Sequence, residues 1–267
     1  MELALIPPKS LMADTNRTRM QLVLPQLLKY KPEDNLDDYS LRYRKHCDDP
    51  HQYVIMDNGA AEAEQISSTQ LLRIAELYAP DELAIPDTLA NSEATILQAW
   101  DFFGKNQRTL DKINADRYKS GLVDLKLGFV AQGRSVDESV NCVIQMLSHH
   151  WSSQVKVIYI PRLLVRESSD HLARIKVWKT LHRSLGAQFE YHFFGAAPSW
   201  PNEVNVIRDY EGIRSIDTSL PYTMAHYVAD INSSYKREGL NRPVGYFERP
   251  IDNFPDSDHY VNYFLGI

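Results

Sequence analysis

The sequence has few cysteines and no excess of basic charge. Its 267 residues include only two cysteines, Cys47 and Cys142, so a zinc site of four thiolates cannot be built. Two thiols also fit a reducing compartment. The formal net charge is −6 at pH 7, which excludes a basic field over the whole chain for holding a polyanion. A nucleic-acid partner would therefore need a local basic patch.

Long apolar runs and a dinucleotide-binding motif are also absent from the sequence. The segment 1–4 has no basic stretch followed by a long apolar core, so no secretory signal is predicted. No run approaches the ~18 apolar residues of a membrane span. No Gly-x-Gly-x-x-Gly follows the first clear strand, which argues against an open doubly wound sheet. We expect a cytoplasmic protein that does not enter a membrane.

A short buried strand that ends in a polar side chain recurs along the chain. The apolar run 53–56 is followed by Asp57-Asn58-Gly59, where glycine permits a sharp exit. Later runs end in Asp87, in Gln132-Gly133 and in Asp217. Strands and amphipathic helices alternate between these points. This alternation predicts an α/β fold, a (β/α)8 TIM barrel, and 267 residues suit one such domain.

The alternation predicts six clear strands and the helices between them. The strands are expected at 53–56, 83–85, 124–131, 155–160, 188–194 and 213–216. The helices are expected at about 67–79, 92–104, from 135, 169–185 and from 221. Two further strands must come from residues 1–30, with candidates at 3–6 and 20–24, and from the tail. We expect a solvated loop at 31–51, a barrel core at about 50–235, and an irregular packing extension at 239–267.

Polar side chains are expected to meet at one end of this barrel, because the C-terminal ends of its strands converge on one mouth. The residues that the predicted strands place there are Asp57, Asp87, Gln132, Arg162, Gly195 and Asp217. Clustered carboxylates suit metal binding, or acid–base and nucleophilic chemistry at a sugar carbon. A glutamine beside them favours recognition of an amide-like edge, such as that of a nucleobase.

Six motifs in order resemble the tRNA-guanine transglycosylase superfamily. They are Asp-Asn-Gly-Ala from 57, Pro-Asp from 86, Gln-Gly from 132, Ile-Pro-Arg-Leu-Leu-Val-Arg-Glu from 160, Phe-Phe-Gly from 193 and Ile-Asp-Thr-Ser-Leu-Pro from 216. Within the superfamily, the sequence is most similar to the 7-deazaguanine DNA transglycosylases of phages and bacteria. The similarity covers roughly residues 50–225.

The resemblance implies a role for each matching residue. Asp217 matches the family's nucleophile, and Asp57 matches the second catalytic carboxylate, which handles protons. The residues that match those contacting the base are Asp87, Gln132 and Gly133 at its polar edge, Arg162 and Leu163 through backbone groups, and Phe194 on one face. The implied reaction replaces guanine in DNA with a 7-deazaguanine base such as preQ0 or a derivative. No cofactor and no metal ion are implied.

Departures from the family pattern favour DNA over tRNA as the substrate. The cysteine-rich zinc segment of tRNA-acting members cannot be built from two cysteines. Tyr222-Thr223 stands where those members have a phosphate-facing Thr-Arg pair. Pro161-Arg162 replaces paired glycines, and Ala61 replaces an aromatic that covers the base. The residues for base exchange remain, whereas those associated with tRNA are lost.

Aromatic and cationic side chains near the mouth are expected to hold the nucleic acid. The candidates are Arg42, Arg44, Lys45, Tyr222, Lys236 and Arg237. A second copy of the chain, forming a homodimer, is a further candidate partner.

Three other functions are compatible with the sequence. One is guanine exchange on tRNA, and another is a non-catalytic transglycosylase-like subunit, against which both Asp57 and Asp217 argue. The third is a metal-dependent barrel hydrolase or lyase that uses His46, His192 or His226. That class is disfavoured because the chain has no His-x-His and no paired histidines on one helix face.

Overall fold

The fold is a closed parallel barrel. The computed structural model describes residues 1–30, 35–61, 66–196, 206–207, 210–228 and 242–266. Within them eight parallel strands follow one another around the barrel in chain order. The strands are β1 Glu2–Leu5, β2 Met20–Val23, β3 Tyr53–Met56, β4 Glu82–Ala84, β5 Lys126–Val130, β6 Val155–Pro161, β7 Glu190–Phe194 and β8 Ile213–Thr218. The predicted (β/α)8 fold is confirmed.

Both N-terminal candidate strands enter the barrel. β1 pairs with β8, with Ala4 opposite Asp217, and it pairs on its other side with β2. β2 in turn pairs with β3, with Val23 opposite Met56. All eight strands therefore come from residues 2–218, and the expectation that the tail supplies one of them is wrong.

Helices surround the barrel on its outer side. They are α1 Asp38–Asp48, α2 Ser68–Tyr78, α3 Ser92–Lys119, α4 Val136–Leu147, α5 Leu163–Ser168, α6 Ala173–Leu185, α7 Leu220–Tyr227 and α8 Ser257–Leu265. α3 is much longer than predicted, since Leu110 and Ile113 continue its buried face beyond residue 104. The helix predicted at 169–185 is α6, which begins four residues later, and the separate short helix α5 precedes it and is ended by left-handed Ser169 (φ 52°).

Residues 38–48 form a helix, not the predicted solvated loop. Asp37 caps the helix by accepting a hydrogen bond from the backbone N–H of Ser40 at 2.8 Å. Tyr39 and Tyr43 lie one turn apart and are buried. The hydroxyl of Tyr43 donates to the carbonyl of Leu22 in β2 at 2.8 Å. The many charged residues around these tyrosines hide their spacing in the sequence.

The tail packs on the N-terminal part of the chain. The hydroxyl of Tyr246 donates to the carbonyl of Ile6 at 2.5 Å, just beyond β1. Arg17 forms an ion pair of 3.0 Å with Asp258 in α8. The tail is a packing extension, as predicted, but it is not irregular throughout, because it contains α8.

Apolar side chains fill the barrel interior, and a larger apolar layer lies between strands and helices. The interior cluster is Ala4, Ile6, Met20, Leu22, Ile55, Ala84, Val130, Val157 and Tyr159. Within the parts of the chain that the structure describes, no helix is long and apolar enough to cross a membrane.

A buried ion pair closes the barrel at the end where the strands begin, which we call the floor. Glu82 is fully buried, and its two oxygens accept hydrogen bonds from Arg214 at 2.7 and 2.9 Å. The hydroxyls of Tyr53 and Tyr159 donate to the same carboxylate at 2.7 and 2.5 Å. Arg214 also donates to Glu190 at 2.7 Å. Both oxygens of the buried Glu82 carboxylate are therefore hydrogen-bonded, which offsets the cost of removing its charge from water.

Candidate active site

Asp217 lies inside the barrel at the end of β8, and it is only 3 % exposed. Its Oδ1 is 3.0 Å from Nε2 of His192 in β7. The same Oδ1 accepts a hydrogen bond of 2.9 Å from the backbone N–H of Gly195. Among the residues that the structure describes, no hydrogen bond reaches Oδ2. One oxygen of the carboxylate is therefore fixed, and the other is left for chemistry.

Gly195 has a backbone conformation that suits it to this contact. Its φ is +69°, in the left-handed region that other residues rarely adopt. A Cβ at this position would lie 3.3 Å from Cβ of Arg162. A larger residue would thus be both strained and crowded, and it would move the N–H that binds Asp217.

Arg174 holds the ends of β6 and β7 together. This side chain is fully buried, and its Nη1 donates to the carbonyls of Phe194 and Gly195 at 3.1 and 2.8 Å, with a longer contact of 3.3 Å to Ile160. Its guanidinium also lies over the ring of Phe193, 4.8 Å from the centroid. Arg174 was not among the predicted site residues, and it stabilises the turn that presents Gly195.

Asp87 lies in a buried amide cage at the end of β4. Its Oδ1 accepts a hydrogen bond of 2.7 Å from the side-chain amide of Asn58, and its Oδ2 accepts one from the amide of Gln132. Burial raises the pKa of the Asp87 carboxyl to about 6, although the two amide hydrogen bonds act in the opposite direction. The structure thus brings together Asp87 and Gln132, as the sequence predicts.

The Gln132 amide has partners within the protein on both sides. While its nitrogen donates to Asp87, its Oε1 accepts a hydrogen bond of 2.9 Å from the backbone N–H of Ala90. Gln132 is only 1 % exposed. In this structure the Gln132 amide orients Asp87. Gln132 would therefore affect a bound base mainly by fixing the position of the Asp87 carboxylate.

Asn58 links the two other predicted carboxylates. Its backbone N–H donates to Oδ1 of Asp57 at 2.7 Å, and its side-chain amide donates to Asp87. The same amide donates to the carbonyl of Ile85 at 2.7 Å. Asp57 itself continues β3, because its N–H donates to the carbonyl of Val23 at 3.0 Å. In the sequence, Asn58 has the pattern of a turn residue. The feature that could have indicated its contact with both carboxylates is its position directly after Asp57.

The predicted base-facing groups of Arg162 and Leu163 lie beside the end of β7. The backbone N–H of Arg162 donates to the carbonyl of Phe194 at 2.8 Å, so this group is not available to a base. Leu163 begins α5, where backbone N–H groups have no partner within the helix. Burial lowers the pKa of the Arg162 guanidinium, and the charges of Arg174 and Arg242 lower it further.

Gly133 is required for packing. A Cβ there would lie 2.7 Å from the backbone N of Ser139 and 2.8 Å from Cβ of Glu138. The first turn of α4 therefore approaches this residue closely. The structure gives Gly133 a reason to be glycine that is separate from contact with a base.

The predicted nucleic-acid contacts are not gathered at the mouth. Tyr222 is fully buried, so in this structure it offers no surface to a polynucleotide. Arg44 and Lys45 are exposed, but they lie in the second half of α1, which leads to the start of β3 on the floor side. Arg42 is half-buried and donates to Asn16 at 3.2 Å. The remaining candidates, Lys236 and Arg237, lie outside the described residues.

The histidines of the hydrolase alternative are dispersed. His192 contacts Asp217 and Ser215, whereas His46 contacts Thr15 at 2.8 Å on the outer side of the barrel. His226 lies 3.0 Å from the carbonyl of Asn253. Across the described ranges, no three His, Cys, Asp or Glu side chains come together in a way that could hold a metal ion.

Comparison with known proteins does not identify a family for this chain. The chain matches no model of a known protein family, and it has no match among curated proteins. Its function therefore has to be inferred from the motifs and from the arrangement of Asp57, Asp87 and Asp217 at the barrel mouth.

Proposed function

We propose that the protein is a base-exchange glycosyltransferase that replaces guanine in DNA with a 7-deazaguanine derivative. The observation that carries this proposal is the asymmetry of Asp217. Two donors hold Oδ1 at 2.9 and 3.0 Å, and Oδ2 is left as a fixed nucleophile at the mouth. A buried carboxylate with one bound and one unengaged oxygen suits attack on a sugar carbon.

In the first half of the reaction, Oδ2 of Asp217 attacks C1′ of the target nucleotide. The bond between C1′ and N9 breaks, and its electron pair stays on the departing guanine. Asp57, as a general acid, gives that guanine a proton. The product of this half is a covalent ester between the sugar and Asp217, together with free guanine.

In the second half, the incoming base loses its N9 proton to Asp57. Its N9 then attacks C1′, and the bond from C1′ to the aspartate oxygen breaks. Asp217 recovers its carboxylate, and Asp57 recovers the proton that it gave away. No cofactor is needed, because the glycosidic bond that is lost is replaced by an equivalent one.

Base selection is assigned to Asp87 and Phe194. An ionised carboxylate accepts two hydrogen bonds from the N1–H and the exocyclic amine of a guanine-like base. Phe194 is half-buried, and its ring has one face against Tyr159. Its other face is suited to covering the base plane. A duplex hides both C1′ and the base edge, so the target nucleotide must be unstacked or single-stranded.

A substrate comparison tests the proposal. Labelled guanine should be incorporated into DNA by the wild-type chain and not by Asp217→Asn. Single-stranded DNA, duplex DNA and tRNA are offered separately, each at matched nucleotide concentration. Exchange on tRNA alone would replace DNA by tRNA as the substrate. Binding of DNA without exchange or adduct would instead favour a non-catalytic subunit.

Treatment with a chelator separates the proposal from a metal-dependent hydrolase. We expect dialysis against a strong chelator to leave the exchange rate unchanged, since the proposed chemistry uses only carboxylates. An activity that is lost on chelation and restored by zinc would contradict the proposal.

A further inference from the structure

A continuous series of polar contacts runs through the barrel from the floor to Asp217. Nε of Arg214 lies 3.3 Å from Oγ of Ser215, and that Oγ lies 2.7 Å from Nδ1 of His192. Nε2 of the same imidazole lies 3.0 Å from Oδ1 of Asp217. His192 and Ser215 are fully buried, so bulk water has no direct access to these contacts.

An irregularity between β7 and β8 makes the series possible. Tyr191 pairs with Ile213, but the next residue, His192, pairs with Ser215. The register therefore shifts by one residue at Arg214. Side chains that follow one another in a regular strand point to opposite faces, whereas a bulge allows neighbours to turn the same way. Here Arg214 reaches the floor while Ser215 meets His192.

The groups at the two ends of the series, a guanidinium that only donates and a carboxylate that accepts, favour one direction for its hydrogen bonds. An arginine guanidinium donates and never accepts, so Ser215 Oγ must accept from Arg214. At the other end, the carboxylate of Asp217 accepts from Nε2 of His192, which leaves Nδ1 of the neutral ring to accept the hydroxyl proton of Ser215. An imidazole whose Nδ1 accepts carries its proton on Nε2. That N–H donates to Asp217.

We propose that Arg214 and Ser215 hold His192 in its Nε2–H tautomer, and that His192 is thereby a positioning residue for the nucleophile. The proposal rests on the proposed function for the role of Asp217, and its first test does not depend on activity. In the other tautomer a nitrogen lone pair would face Oδ1 of Asp217. That arrangement is repulsive and would release the carboxylate from its fixed orientation.

The floor provides a fixed origin for this series. Arg214 is held by both oxygens of Glu82 and by Glu190, so its Nε has little freedom to turn away. The orientation of a carboxylate at the mouth is thus set by an ion pair at the opposite end of the barrel. The half-buried arginine and the buried glutamate do not contact Asp217 themselves, and they act on it only through Ser215 and His192.

The first test is nitrogen-15 NMR of the full-length chain with labelled histidine. The signals of His192 are assigned by their absence from the His192→Gln variant. We expect the shift pattern of the Nε2–H tautomer in the wild type, and a marked population of the other tautomer in Ser215→Ala. A wild-type Nδ1–H pattern, or an unchanged pattern in Ser215→Ala, would overturn the proposal.

Thr15→Ala is the matched control for this measurement. It also removes a buried hydroxyl that contacts an imidazole, since Thr15 Oγ1 lies 2.8 Å from Nε2 of His46. That pair is on the outer side of the barrel, away from Asp217. Thr15→Ala should leave the His192 signals and the exchange rate unchanged, which distinguishes the proposed series from a general loss of packing.

The second test measures formation of the covalent adduct. Ser215→Ala and His192→Phe should slow it by roughly 10- to 150-fold, the effect of losing one hydrogen bond to a charged group, with DNA affinity unchanged. His192→Gln, which keeps an N–H donor, should recover part of the rate. If the wild type forms no adduct, the proposed function fails and the tautomer result stands alone. If Ser215→Ala forms adduct at the wild-type rate, the positioning role is refuted and the function remains.

Discussion

The ring of Tyr159 lies flat against the ring of Phe194, with centroids 4.3 Å apart and an angle of 3° between the planes. The Tyr159 hydroxyl donates to Glu82 at the floor, so one side chain spans the interior between the ion pair and the mouth. Stacked aromatic pairs contribute about 0.5–1.5 kcal/mol beyond the area that they bury. Tyr159 therefore fixes the position of the side chain that we assign to the base face.

Gly128 in β5 makes room for this tyrosine. A Cβ at Gly128 would lie 2.3 Å from Cε2 of Tyr159 and 2.9 Å from its Cζ. Gly128→Ala should therefore displace the ring and destabilise the fold by about 1–3 kcal/mol. It should also slow base exchange, since Phe194 loses its support. Denaturant unfolding and exchange assays check the two effects.

Gly104→Ala is the control for that substitution. Gly104 lies on the exposed side of α3, and a Cβ there would meet nothing within 4 Å. Alanine in a helix interior is more stable than glycine by about 0.5–1 kcal/mol. The control should be at least as stable as the wild type and fully active. Equal stability of Gly128→Ala and the wild type would contradict the packing argument.

Asp217→Asn should abolish base exchange and the covalent adduct while leaving the fold intact. An amide is a poor nucleophile at C1′, and loss of a nucleophile costs roughly 10³-fold or more in rate. The adduct between protein and DNA is measured on denaturing gels, and the fold by circular dichroism. Asp101→Asn serves as control, because Asp101 is an exposed partner of Lys105 on α3. Near-normal exchange by Asp217→Asn would remove the nucleophile assignment.

The sequence predicts the barrel and most of the mouth because both depend on local patterns. A buried strand that ends in a polar residue places Asp57, Asp87 and Asp217 near the C-terminal ends of β3, β4 and β8, whatever lies between them. Both N-terminal strands were also recognisable as candidates. Their place in the sheet depends on the pairing of β1 with β8. This pairing joins the first strand to the last one, and such a long-range contact leaves no local signal in the sequence.

The missing parts of the site depend on contacts between distant residues. Glu82 at the start of a strand has the pattern of a surface residue, and its partner Arg214 lies 132 positions away. The pairing of His192 with Ser215 depends on the bulge at β8, which the sequence does not mark. The prediction that Tyr222 contacts nucleic acid depends on its place in the motif, which gives its position along the chain. Its burial depends on the helices that pack around it, and these the motif does not specify.

The pH dependence of base binding should report on Asp87. Burial raises the pKa of this carboxyl to about 6, so it is mainly protonated below that pH and ionised above it. The ionised form accepts the two donors of guanine, and affinity should therefore rise with pH through about 6 and level off above it. Binding at pH 5 should be roughly tenfold weaker than at pH 8.

Titration calorimetry with guanine between pH 5 and 8 measures this effect. DNA affinity, measured in the same buffers, is the reference for changes that do not involve Asp87. A base affinity that does not change with pH, or one whose midpoint lies near 4, would exclude Asp87 as the group that controls binding.

Asp87→Asn should weaken guanine-type bases far more than it alters DNA affinity. Replacing one carboxylate oxygen by an NH2 group places a donor opposite a donor of the base, and also opposite the amide of Asn58 or Gln132. A buried polar group left without a partner costs about 1–3 kcal/mol, which corresponds to a loss of roughly 5- to 150-fold in affinity. Gln132→Ala should have a smaller effect of the same kind, because it removes only the group that orients Asp87.

Hypoxanthine, which lacks the exocyclic amine of guanine, is the discriminating ligand. The wild-type chain should reject hypoxanthine strongly, since one oxygen of Asp87 would then have no donor from the base. Asp87→Asn should reduce the ratio of the guanine rate to the hypoxanthine rate, and Gln132→Ala should reduce it partly. Exchange and DNA binding are measured separately for each variant. If both variants keep the wild-type ratio, Asp87 does not read the base edge, and the buried amide cage of Asn58, Asp87 and Gln132 serves only to hold the ends of β3, β4 and β5 together.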